Sequence, residues 1–80
     1  MMPLYGFLEG DTLVMVILAE EDEPVRALAD RLLQAAGVRV PRRGPPEVRV
    51  GGRVLAPQLT VAGAGLKALD RFDVFQEEVP

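Results

Sequence analysis

The chain contains no cysteine, histidine, serine, asparagine or tryptophan. Without cysteine it forms no disulfide, no thiolate metal site and no iron–sulfur cluster. Without histidine or serine, the Ser–His and Cys–His nucleophilic pairs are excluded, and so is a histidine-ligated zinc or haem. The hydroxyls that remain are Thr12, Thr60 and Tyr5, and Lys67 is the only lysine. An enzyme built from this inventory would work with carboxylates, arginines and one amine. The sequence accordingly assigns no catalytic residue, no cofactor and no metal ligand. Long apolar runs are missing as well: Leu13 to Ala19 is the longest, far too short to cross a bilayer. No basic segment precedes it, so neither a membrane span nor a signal peptide is expected, and the cytoplasm is the default compartment.

What is present bounds the architecture. Eighty residues make one domain, 1–80, with 76–80 expected as a loose polar tail. A chain this short buries only about 60% of the surface that it exposes when unfolded, so its core is small. Nine basic residues stand against twelve acidic ones, which speaks against nucleic acid as the main partner. The charges are segregated. Glu20, Glu21, Asp22 and Glu23 form one acidic run, and Arg39, Arg42, Arg43, Arg49 and Arg53 gather in a second stretch. Adjacent carboxylates rarely converge on one cation, so the acidic run reads as the entry to a helix rather than a metal site.

The pattern of periods gives the elements. Leu4 to Leu8 and Leu13 to Leu18 are apolar runs around Glu9-Gly10-Asp11-Thr12, a hairpin with Gly10 and Asp11 as central residues of a type II′ turn. Val25, Leu28, Ala29, Leu32, Leu33 and Ala36 then fall on one face of a helix. Asp22 or Glu23 is placed to cap it, Pro24 fits its first turn, and Gly37 is the expected C′ residue. Pro41 to Pro46 is a loop. Glu47–Val50 and Arg53–Leu55 flank Gly51-Gly52 as a second hairpin, with valines inward and charges outward. Thr60 caps a short turn that stops at Gly65, and Arg71–Phe75 alternates as a last strand. The glycines Gly63 and Gly65 match neither the dinucleotide fingerprint nor the P-loop. Hairpin, helix, hairpin, short turn and strand make an α+β plan, a four- to five-stranded mixed sheet with one main helix. That order is the β-grasp, or ubiquitin-like, arrangement.

Several segments carry a closer resemblance. Pro3-Leu4-Tyr5-Gly6-Phe7-Leu8-Glu9 leads into Leu13-Val14-Met15-Val16-Ile17-Leu18; Val40-Pro41-Arg42-Arg43-Gly44 precedes the third strand; Leu59 to Leu66 is followed by Phe72-Asp73-Val74. From Pro3 to about Glu78 the chain resembles the small B protein, the γ subunit, of toluene-4-monooxygenase and related multicomponent aromatic monooxygenases. The resemblance implies a ubiquitin-like subunit without catalytic residues, bound to the large hydroxylase chain that holds the diiron centre and serving aromatic hydrocarbon catabolism. The alternative is a free-standing ubiquitin-like adaptor or modifier with another protein partner. Conjugation and sulfur-carrier chemistry both need a terminal Gly-Gly, whereas Gly51-Gly52 is internal and the sequence closes on Gln76-Glu77-Glu78-Val79-Pro80.

The hairpin register points to a partner surface. A two-residue turn sets Leu8 opposite Leu13, Gly6 opposite Met15 and Leu4 opposite Ile17, on the face under the helix, where Gly6 gives the helix room. Tyr5, Phe7, Val14, Val16 and Leu18 then share the other face, which an ordinary one-sided sheet would make polar. These five are candidate interface residues, with homodimerisation through the same sheet as the rival occupant. Arg42 and Arg43 join them as candidates for docking on an acidic protein surface, because a planar guanidinium binds carboxylates bidentately. The arginine stretch has no aromatic side chain on which bases could stack.

Overall fold

The computed structural model describes residues 1–37, 39–41 and 43–76. The elements follow the expected order: β1 (Met2–Leu8), β2 (Val14–Ala19), α1 (Val25–Ala36), β3 (Pro46–Val50), β4 (Arg53–Leu55) and β5 (Arg71–Gln76). The strands form one sheet in the order β2-β1-β5-β3-β4. Both hairpins are antiparallel, and β5 inserts between them, parallel to β1 and antiparallel to β3. One helix over one face of a five-stranded mixed sheet is the β-grasp fold that the sequence predicts.

The first hairpin keeps the predicted register, with Leu4 opposite Ile17, Gly6 opposite Met15 and Phe7 opposite Val14, but Leu13, expected inward opposite Leu8, lies in the turn outside the ladder and is exposed. Its turn is built differently. The Asp11 N–H donates to the Leu8 carbonyl at 3.0 Å and Gly10 has φ +92°, so Gly10 is the second central residue of the turn, not the first. Asp11 Oδ1 then accepts the Thr12 N–H at 2.8 Å, and ladder pairing resumes only at Val14. An aspartate that bonds the backbone ahead of it extends the turn without shifting the strands. The second hairpin turns on Gly51 and Gly52, both left-handed at φ +58° and +80°, which is the type I′ geometry suited to twisted strands.

Helix α1 spans the predicted residues, but its ends are satisfied by other means. Neither Asp22 nor Glu23 caps it; Pro24 is the N-cap residue. The Val25 and Arg26 amides instead donate to the Leu59 and Pro57 carbonyls at 2.8 and 3.1 Å. In return, the Val61 and Ala62 amides donate to the Glu23 and Glu21 carbonyls, each at 2.9 Å. The 57–62 segment and the acidic run thus cap one another, so no side-chain cap is required. At the other end Gly37 is right-handed, with φ −61°, rather than the left-handed C′ glycine expected. The turn at Thr60 is as predicted: its hydroxyl accepts the Gly63 N–H at 2.9 Å and Gly65 is left-handed. Gln76, expected to open a loose tail, ends β5; its amide donates to the Pro41 carbonyl at 3.2 Å and its carbonyl accepts the Arg43 N–H at 2.6 Å. Residues 77–80 lie outside the described residues.

The core lies between the helix and the inner sheet face. Leu4, Val25, Leu28, Leu32, Phe72 and Val74 are fully buried there. Gly6 is the closest point. A methyl group on it would stand 2.8 Å from Phe72 Cζ and 3.3 Å from both Leu32 methyls. Phe72 is the β5 neighbour of Gly6, so its ring lies in the space that a side chain at position 6 would fill. Two ion pairs bind the periphery. Arg39 holds Asp11 through Nη2 at 2.8 Å and Nε at 3.1 Å. Arg31 holds Glu23 and also donates to the Leu18 carbonyl at 2.9 Å, against the outer edge of β2. Leu69 is the only described non-glycine residue in the left-handed region, at φ +71°, and it is exposed.

Three outcomes follow from this packing. Gly6→Ala lowers the unfolding free energy by about 1–3 kcal/mol, because Phe72 and Leu32 have nowhere to retreat. Chemical denaturation measures that loss, and adding Phe72→Leu restores part of it. Leu69→Gly raises stability by about 1 kcal/mol through release of the left-handed strain. The third concerns acid. Hydrogen bonds from Arg39 and Arg31 hold the Asp11 and Glu23 carboxyls below their ordinary values of 3.8 and 4.5. Carboxylates depressed in the folded state contribute stability that is complete above the unfolded pKa and lost as pH falls through the folded one. Urea midpoints therefore decline below about pH 5, and Glu23→Gln with Asp11→Asn makes that decline shallower.

Candidate interaction surface

Among the described residues, nothing covers the sheet face away from the helix. Alternation along the strands puts Tyr5 and Phe7 of β1 on it, with Val14, Val16 and Leu18 of β2. All five predicted side chains are therefore together. Val14, Val16 and Leu18 are exposed by 48%, 59% and 55%, which is unusual for apolar side chains on a solvated sheet face. Phe7 is half-buried, because Arg71 lies across its ring at 3.9 Å from the centroid.

The register extends this face across the whole sheet. Phe7 is beside Asp73 of β5, which is beside Arg49 of β3, which is beside Val54 of β4. Tyr5 neighbours Arg71, and Glu47 neighbours Phe75. Val54 was not among the predicted residues. The sequence places valines inward on both strands of the second hairpin, but the Gly51-Gly52 turn pairs Val50 with Arg53 and Arg49 with Val54. Val54 consequently faces outward, 59% exposed, and Arg53 shares the inner side with Val50 at the exposed sheet edge. A two-residue turn dictates that parity, so the signal was in the sequence. Arg71 and Phe75 are placed by the insertion of β5, which no local pattern encodes.

Charge on this face is arranged in two stacked pairs. Arg71 lies on Phe7 and donates to Asp73 Oδ1 at 3.0 Å. Arg49 lies on Phe75, 4.1 Å from the centroid, and donates to Glu47 at 2.5 Å. A weakly hydrated planar guanidinium gains from both contacts at once. Arg43 is set apart from the five apolar residues: it shares a shallow depression with Gly10, Arg39 and Gln76 at the end of the domain that holds the first turn. Arg42 lies outside the described residues. A groove of about 580 Å³ runs between Pro45, Pro57, Val54 and Phe75, with Glu9 and Glu47 at its margin. Among the described residues no three metal-ligating side chains gather, and no helix is long and apolar enough to cross a membrane.

A five-stranded mixed sheet with one helix across one face is the ubiquitin-like fold. Two solved structures share that fold. The archaeal ubiquitin of Caldiarchaeum subterraneum is 16% identical, matches 98% of this chain and 95% of its own with a TM-score of 0.78. The structure of AtBAG1 in complex with HSP70 contains a chain 9% identical, aligned over 96% of this chain and 41% of that one with a TM-score of 0.78. A chain of the toluene 4-monooxygenase HD complex with the inhibitor 4-bromobenzoate is 24% identical, matching 95% of this chain and 98% of its own at a TM-score of 0.85. No curated protein sequence matches. Residues 1–75 match the family described as toluene-4-monooxygenase system protein B, TmoB, and the chain belongs to that family.

Proposed function

We propose that this chain is a non-catalytic small subunit of a multicomponent diiron monooxygenase, acting in the cytoplasm, and that it docks on the large hydroxylase chain through the outer sheet face. Family membership over residues 1–75 supports the assembly. The observation that carries the docking surface is the exposure of Tyr5, Val14, Val16 and Leu18 on one uncovered face. Each keeps a large part of its side chain in water in the isolated fold, and leaving it there is unfavourable by about 25 cal/mol per Å² of apolar surface. Aromatic residues are also enriched at the centres of protein interfaces. The subunit itself supplies shape and apolar surface, not reacting groups. Its inventory of side chains offers no nucleophile–base pair, and the turnover belongs to the partner chain.

The reading as a conjugated modifier is weaker on one point of geometry. The Gly51-Gly52 pair that such chemistry would use forms the closed turn between β3 and β4. A protease would have to cut within the sheet to free it.

Co-expression with the large hydroxylase chain of the same source tests the proposal. The expected result is a stoichiometric complex that survives size exclusion. Val14→Glu together with Val16→Glu abolishes it, while the isolated variant keeps its far-UV spectrum and loses no more than about 1–2 kcal/mol of stability. Phe7 is a poorer site for this test, since its ring also carries Arg71. Purification of the wild-type chain alone, or with an adenylating enzyme, refutes the subunit reading.

A further inference from the structure

The charges of the outer face say what kind of surface covers it. The strands place four charged side chains there among the described residues: Glu47, Arg49, Arg71 and Asp73. None waits for a counter-charge. Arg71 is bound to Asp73 at 3.0 Å and Arg49 to Glu47 at 2.5 Å. Each guanidinium also has one face against a phenylalanine ring, which removes part of its hydration before any partner arrives. The sum over the face is zero, although the chain as a whole carries a net charge of −3. Elsewhere the pairing is partial: Arg39 binds Asp11 and Arg31 binds Glu23, while Glu21 and Asp22 stand exposed in the acidic run.

From this we infer that the outer face docks as an electrically self-neutral surface, and that the partner meets it with uncharged, apolar side chains rather than with an acidic or basic patch. The inference rests on the subunit reading above and specifies the chemistry of its partner. Complementarity across an interface places potentials of opposite sign on its two sides, and a face whose charges are paired and sum to zero offers little net potential of either sign for a charged partner to match. Here the ion pairs are closed within the subunit, so their desolvation on docking is of neutral pairs stacked on rings, not of free ions. The apolar half on β1 and β2 then sets the affinity. An acidic partner surface would compete with Asp73 and Glu47 for arginines already bound, and a second copy of this chain would set two neutral faces together.

The test uses the full chain and the large hydroxylase chain of the same source, with affinity measured at 50 and 500 mM sodium chloride. The expected dissociation constant changes by less than about threefold between them, whereas steered charge-to-charge docking weakens by about tenfold or more. Asp73→Asn leaves Arg71 on the face without its carboxylate and should weaken docking by about tenfold or more. Asp22→Asn, the same loss of charge in the acidic run, should leave affinity unchanged. Steep weakening with salt, or tighter binding by Asp73→Asn, would show an acidic partner surface and overturn the inference while leaving the subunit reading intact. A homodimer of the isolated chain that Val14→Glu with Val16→Glu dissolves would overturn it in favour of a second copy. No association at any salt concentration would overturn the subunit reading and this inference together.

Discussion

The contact among Gly6, Phe72 and Leu32 sets the geometry of the molecule. Phe72 lies on β5 beside Gly6 of β1, and its ring fills the volume that a side chain at position 6 would take. Leu32 closes the same space from the helix. Because one glycine admits an aromatic ring under the helix, the two central strands and the helix meet at a single point. The helix has one apolar stripe, and that stripe is fully used against the inner face. Among the described residues, no other element remains to cover the other side.

That economy explains why a small domain carries so much apolar surface outward. A one-sided antiparallel sheet ordinarily alternates apolar and polar residues, yet β2 reads Val-Met-Val-Ile-Leu-Ala without a charge. It is also an edge strand, the kind that invites pairing with other chains. Arg31 answers part of that hazard. Its guanidinium is fixed by Glu23 and donates to the Leu18 carbonyl, so a charged group stands on the open edge. One carbonyl of that edge is thus occupied by a charged side chain, while the face stays bare.

Much of this was legible in the sequence because it depends on local periods. The 3.6-residue stripe from Val25 to Ala36 defined the helix, and two apolar runs around a glycine-bearing turn fixed a register that is correct at every pair from Leu4 to Phe7. The same register sorted Gly6 inward and Tyr5 outward. What was missed depends on contacts between distant segments. The helix start is capped by carbonyls from residues 57–59, so the acidic run had no capping task to perform. Arg71 and Arg49 reach their rings only because β5 enters between β1 and β3, an insertion that periodicity cannot express. Val54 is a different case: the turn residues implied its outward parity, and the habit of turning valines inward hid it.

The parallel pairing of β1 with β5 has a bearing on how the chain comes into being. The strand made first and the strand made last among the described residues are neighbours at the centre of the sheet. Synthesis runs from the N-terminus, at roughly 5–20 residues per second. The β1–β2 hairpin therefore leaves the ribosome several seconds before the strand that completes its sheet. In that interval the inner face of the hairpin has only the helix, made soon after it, to pack against, and the outer face has nothing. Pairings so distant in sequence also form slowly, since the loop must close before any contact rewards it. Closure of the sheet by β5 completes the inner core but leaves the outer face as exposed as it was in the hairpin alone.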